Sequence, residues 1–153
     1  MAAFLQRGGA WVLGQTMLIL AVIVLALRFR GDGHGLAMFV LGAVLLGVGA
    51  IVGLSGAIGL GRGLTPFPKP SPDMRLVQNG IYAVIRHPLY TSVMAAALGW
   101  ALVWQSWSAL LAGLALILFF DLKSRREERW LREQFPEYPE YAKRVRRFIP
   151  WVY

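Results

Sequence analysis

The sequence predicts an all-α, polytopic integral membrane protein: two spans plus a helical hairpin, with a cytoplasmic C-terminal helix and tail. Three observations predict it. Of 153 residues, 57% are hydrophobic and only 16% charged, whereas soluble domains carry about a quarter charged residues. The apolar residues gather into runs long enough to cross a bilayer. The basic residues, which bring the net charge to +8, fall largely between and after those runs, as juxtamembrane Lys and Arg do. The same figures exclude a disordered chain. With no cysteine present, they also exclude a disulfide-rich module, a Cys-type zinc site and a thiol nucleophile.

The first span runs from Trp11 to Phe29, with Gln15 and Thr16 as its polar interruptions. At about 1.5 Å per residue it covers roughly 28 Å, the thickness of the hydrocarbon core. It is longer than the apolar region of a signal peptide, and Arg28 and Phe29 stand where cleavage would need small residues. A polar turn follows over 28–35 (RFRGDGHG), in which His34 reads as a solvated loop residue with no second metal ligand nearby in sequence. The second span, Leu36 to Leu60, is 25 residues without a charge. Gly49 and Gly53, then Gly59 and Gly63, stand four apart on one helix face, where small residues let another helix approach closely. A nucleotide-binding glycine loop is excluded, since there is no GxGxxG and no strand-turn-helix unit.

Thr65 to Asp73 (TPFPKPSPD) carries proline at 66, 68, 70 and 72. Fixed φ and missing donors make it extended, either a stiff connector or a lid along a site. A turn at Asn79–Gly80 leads into Ala83 to Tyr90. Thr91 to Phe120 allows one long helix or a hairpin. Its centre, Trp104 to Ser108 (WQSWS), is suited to a membrane interface, which favours two arms, Thr91 to Val103 and Ser108 to Leu122. A hairpin returns the chain to the side it left. The basic 61–87 segment and the basic tail then share one compartment, the cytoplasm by the positive-inside rule, and both termini lie there. Asp121 to Phe135 continues as a helix with i,i+4 pairs Glu128–Arg132 and Arg129–Glu133 until Pro136 stops it. The aromatic end of the tail can dock back on the membrane or the site. Residues 1–153 read as one domain, with the two spans in 1–64 and the cofactor-binding and catalytic part in 65–153.

Ionisable residues beside apolar helices need a reason. Tyr82, Arg86, His87 and Tyr90 precede the hairpin; Lys123, Arg126, Glu127 and Glu128 follow it. The two feet of a hairpin lie side by side, so these groups should meet. Together they offer cations to a carboxylate, carboxylates to an ammonium and aromatic faces to a ring. The residues alone leave a second reading, in which Arg86 and His87 anchor the interface and the glutamates balance arginines. No nucleic-acid reader motif accompanies the charge, so a nucleic-acid partner is not expected.

The string from Gly80 to Tyr90 (GIYAVIRHPLY), followed by Glu127, Glu128, Phe135, Tyr138 and Tyr141 and preceded by FPKP at 67–70, resembles the isoprenylcysteine carboxyl methyltransferase and phospholipid methyltransferase families. The likeness extends roughly from Pro66 to Pro150. It implies S-adenosylmethionine as cofactor, held at the membrane surface without a Rossmann fold, and methyl transfer to a lipophilic acceptor entering from the bilayer. Carried over residue by residue, Leu76, Val77, Tyr82, His87, Pro88, Leu89, Tyr90 and Glu127 should bind the cofactor. Arg86, Lys123 and Glu128 are the catalytic candidates, and no metal is required. The eukaryotic isoprenylcysteine enzymes align an Arg, facing the substrate carboxylate, four residues before the cofactor Glu; here that residue is Lys123. Lys keeps the charge and loses the bidentate fork, which counts against a carboxyl acceptor such as prenylcysteine. Sterol reductases share a related RHPxY region but use a reduced nicotinamide and usually carry more spans. A reductase, or a non-catalytic membrane partner with the same fold, is the alternative.

Overall fold

A computed structural model of the chain describes all residues except 1–3, 5, 33 and 34, so His34 lies outside the described residues. Helix α1 spans Gly9–Arg28, α2 Leu36–Leu60, α3 Pro88–Val103, α4 Trp107–Gln134 and α5 Tyr138–Arg144, with single 3-10 turns at Gly61–Gly63 and Gly80–Ala83. By length and composition, Gly9–Arg28, Leu36–Gly63 and Trp107–Gln134 can each cross a membrane. The apolar α3, 16 residues long, is shorter. The chain is thus an all-helical integral membrane protein with the expected two spans and hairpin.

Helix α3 packs against α1, α2 and α4, and α1 also packs on α4. Its contact with α2 is backbone on backbone. A Cβ at Gly42 would lie 2.7 Å from the Gly99 carbonyl oxygen, and a Cβ at Gly99 would lie 2.7 Å from that of Gly42. The buried glycines of α2 are Gly42, Gly49 and Gly56, a seven-residue repeat that keeps one seam against α3. This corrects the paired spacing read from the sequence. Gly49 and Gly53 do face Ser92, and Gly59 meets the Tyr82 ring, but Gly63 has nothing within 4 Å. The core beneath is formed by Val22, Met94, Ala97, Leu116, Phe120 and the tail residue Phe148. Met17, Leu20, Ile51, Leu54 and Ile58 are exposed on α1 and α2, where a bilayer would meet them.

The hairpin turns at Trp104–Ser106. Gln105 takes a left-handed φ of 50°, and the Ser106 hydroxyl accepts a hydrogen bond from the Ala109 amide as N-cap of α4. With that cap supplied, nothing breaks the second arm before the end of α4, so α4 joins it to the tail helix in one piece. Of the two expected i,i+4 pairs, Arg132–Glu128 forms at 3.3 Å; a pair the sequence reading did not name, Arg125–Asp121, forms at 2.8 Å. Arg129 and Glu133 form no ion pair among the described residues.

The two ends of the bundle differ. At one, the hairpin tip meets the 28–35 loop: the Gly31 amide donates to Trp104, and the Gln105 side-chain amide donates to the Gly35 carbonyl. At the other, the amides of Arg86 and His87 donate to the carbonyls of Arg146 and Arg147 at 2.8 and 3.1 Å. The basic 61–87 segment and the basic tail are therefore neighbours at one end.

Candidate active site at the feet of the hairpin

Local sequence sets the site. Gly80 adopts φ +57°, a conformation other residues rarely take, and turns the chain into Tyr82. Pro88 occupies the first turn of α3, where a proline loses no hydrogen bond and its fixed φ suits helix initiation. His87 is thereby the N-cap residue, and Leu89 and Tyr90 sit in the first turn.

A cavity opens there, walled by Phe67, Pro68 and Pro70 of the connector, the start of α3, Glu127 and Leu131 of α4, and Tyr138 and Tyr141 of α5. The proline connector thus runs along the site. Leu76, Val77, Tyr82, His87, Pro88, Leu89, Tyr90 and Glu127 all line this one cavity, and Arg86 lines it as well. Lys123 and Glu128 do not.

The aromatic wall is ordered. The His87 and Tyr90 rings are stacked at 5.3 Å and 2°, and Tyr90 stacks in turn on Phe120 at 4.7 Å. The Tyr90 hydroxyl donates to Glu127 Oε2. Tyr141 donates to the Tyr82 carbonyl at 2.6 Å, and Tyr82 donates to the Gly56 carbonyl at 3.3 Å. Burial pushes the Tyr141 phenol up to about 12 and raises Tyr82 further. Both remain protonated donors at neutral pH.

Glu128 is fully buried and surrounded by cations. Its Oε1 accepts from Arg86 at 3.1 and 2.8 Å and from Arg147 at 3.1 Å, with His87 Nε2 3.3 Å away. Its Oε2 accepts from Arg132 and Arg147. Arg86 also donates to the carbonyls of Ala142 and Val145. This network ties α4, α5 and the tail to the RHP segment, and it leaves Glu128 little capacity for a ligand. Lys123, also fully buried, donates to the Gln15 side chain and to the Pro66 carbonyl.

Four participants were absent from the candidate residues read in the sequence. Tyr138 and Tyr141 were noted in the motif without a role. Arg147 belongs to the basic tail, and Gln15 is a polar interruption in a span; only the expense of a polar group in a bilayer singles it out. Tyr138 is 1% exposed, and its hydroxyl has no hydrogen-bond partner among the described residues, an arrangement that costs free energy unless something else supplies the partner.

Fold and site define a small polytopic membrane protein with a polar-aromatic cavity where the hairpin feet meet the tail. Residues 37–138 match the phospholipid methyltransferase family, and the chain belongs to it. It is 40% identical over 77 residues to the cobalt-zinc-cadmium resistance protein CzcN of Cupriavidus metallidurans, covering 49% of this chain and 35% of that protein. Over 86 residues it is 37% identical to the protein-S-isoprenylcysteine O-methyltransferase of Schizosaccharomyces pombe, covering 55% and 36%. Over 125 residues it is 30% identical to protein-S-isoprenylcysteine O-methyltransferase B of Arabidopsis thaliana, covering 79% and 60%. The chain thus spans between about a third and three fifths of the length of these curated relatives.

Proposed function

We propose that this protein transfers a methyl group from S-adenosylmethionine to a lipophilic acceptor at the membrane interface, with both termini on the cytoplasmic side. One observation carries the reading. In a chain of the phospholipid methyltransferase family, the residues expected to bind the cofactor surround a single cavity.

The donor set fits that cofactor. Glu127, held by Tyr90, offers a carboxylate oxygen to the methionyl ammonium. Tyr138 has an unused buried hydroxyl in the cavity wall, available to a polar group of the cofactor. The rings of Tyr82 and His87 supply faces for an adenine, and Leu76, Val77 and Leu89 supply apolar contact. When bound, the cofactor supplies a methyl group already activated on a sulfonium. The chain's share is then to orient the acceptor and exclude water. Arg86 and Glu128 act by holding the wall in place.

The acceptor's apolar part has a cavity to occupy. A second, apolar cavity is lined by Ile19, Val22 and Ile23 of α1, Leu46 of α2, and Val93, Ala96, Ala97 and Trp100 of α3. Leu89, Val93, Ala96 and Trp100 follow helical spacing, so this cavity continues the face of α3 on which Leu89 lines the first. The fold and the comparisons give no support to a nicotinamide-dependent reductase or a non-catalytic partner. The test is incubation of purified protein with methyl-labelled S-adenosylmethionine and a membrane lipid extract. Label in an organic-phase product is the expected result. Absence of any labelled product, together with binding of NADPH, would overturn it.

A further inference from the structure

We infer that Lys123 is a positioning residue, caged by Gln15 and Pro66, that ties the first span and the proline connector to the Tyr90–Glu127 pair. It does not read a carboxylate on the acceptor. The inference rests on the methyltransferase reading and narrows it: the acceptor is a lipophile methylated at a group other than a carboxylate held by this lysine.

The geometry is specific. Lys123 is 0% exposed. Its Nζ donates to Gln15 Oε1 of α1 and, at 3.0 Å, to the Pro66 carbonyl at the start of the connector. It lies 4.9 Å from the centre of the Tyr90 ring and 5.8 Å from that of Phe120. An ammonium has three donors; two meet oxygens, and ring faces attract the remaining charge. A carboxylate could reach the buried Nζ only by displacing Gln15, the Pro66 carbonyl or the rings of Tyr90 and Phe120. That would strand a polar group in a buried place.

The cage also explains Gln15, which otherwise is a polar side chain in a span without a purpose. Three segments far apart in sequence, α1, the connector and α4, meet at one ammonium. That ammonium rests on the ring whose hydroxyl orients Glu127 toward the cavity. Loosening the cage should therefore be felt at the cofactor carboxylate.

The chain has three lysines, Lys69, Lys123 and Lys143, which allows a direct test. The purified full chain in detergent is treated with acetic anhydride, alone and with S-adenosylhomocysteine plus dodecanoate as a carboxylate probe. Lys69 and Lys143 are exposed and should acetylate readily, while Lys123, buried and hydrogen-bonded, should remain at least about tenfold slower in every condition, because the reagent reaches it only through local opening. Acetylation of Lys123 as fast as the other two, or a further slowing of Lys123 when dodecanoate is added, would overturn the inference. In parallel, Gln15→Leu should weaken S-adenosylhomocysteine binding about fivefold, the effect of one lost hydrogen bond, and Gln15→Glu should restore it. Unchanged affinity in Gln15→Leu would contradict the positioning role. If the unmodified protein binds no S-adenosylhomocysteine while Lys123 stays protected, the methyltransferase reading fails and the cage stands.

Discussion

Glu127 and Glu128 are consecutive on α4 yet have different partners. Glu127 accepts from the Tyr90 hydroxyl and lines the cavity, whereas Glu128 is buried under Arg86 and Arg147. In the proposed reading, Glu127 faces the ligand and Glu128 holds the ligand's surroundings in place. The two should therefore respond oppositely to substitution.

Glu128→Ala leaves the Arg86 guanidinium, 9% exposed, without its carboxylate. Breaking a buried pair from one side costs about 3–5 kcal/mol. The expected outcome is a large fall in the thermal midpoint in detergent, with cofactor binding lost only as the fold is lost.

Tyr138→Phe should behave otherwise. Its hydroxyl has no partner among the described residues, so removing it sacrifices no hydrogen bond there and relieves a desolvated donor. The midpoint should hold or rise, while affinity for S-adenosylhomocysteine falls by the about 0.5–1.5 kcal/mol of one hydrogen bond. Calorimetry on one variant reads both quantities.

The α2–α3 seam predicts a position-specific effect. A Cβ at Gly42 meets backbone 2.7 Å away, whereas one at Gly47 meets nothing within 4 Å. Gly42→Val should destabilise by about 1–3 kcal/mol or more, and Gly47→Val should fall within about 0.5 kcal/mol of the parent. Equal midpoints for the two would contradict the packing described.

Alkaline stability follows from Tyr141, whose phenol burial raises from 10.0 to about 12. Between those values the unfolded chain has released this proton and the folded chain retains it. The contribution is thus fully present below pH 10.0 and lost as pH rises toward about 12. Thermal midpoints measured across that window should fall, and Tyr141→Phe should lessen the slope.

The bundle was legible in the sequence because its determinants are local: apolar run length marks spans, the WQSWS centre marks a turn, and alternating prolines mark an extended connector. The seam was read in part. Gly49 and Gly53 were found by spacing, but the heptad through Gly42 and Gly56 depends on which face α3 occupies, a tertiary fact. The cavity residues were found through a motif. The division of labour between Glu127 and Glu128 was not, since adjacent identical residues differ only in what the tail brings to them. Arg147 and Gln15, 19 and 108 residues from their partners, carry no local signal of those contacts.

The central claim is that the cavity at the hairpin feet binds the cofactor through Glu127. Its most direct test is equilibrium titration of the folded protein with S-adenosylhomocysteine, comparing the parent with Glu127→Gln. The account predicts saturable binding by the parent and a loss of about 1.5–3 kcal/mol in the variant, the worth of a hydrogen bond to a charged group, with the thermal midpoint kept. Absence of binding by the folded parent, or equal affinity in the two proteins, would contradict it.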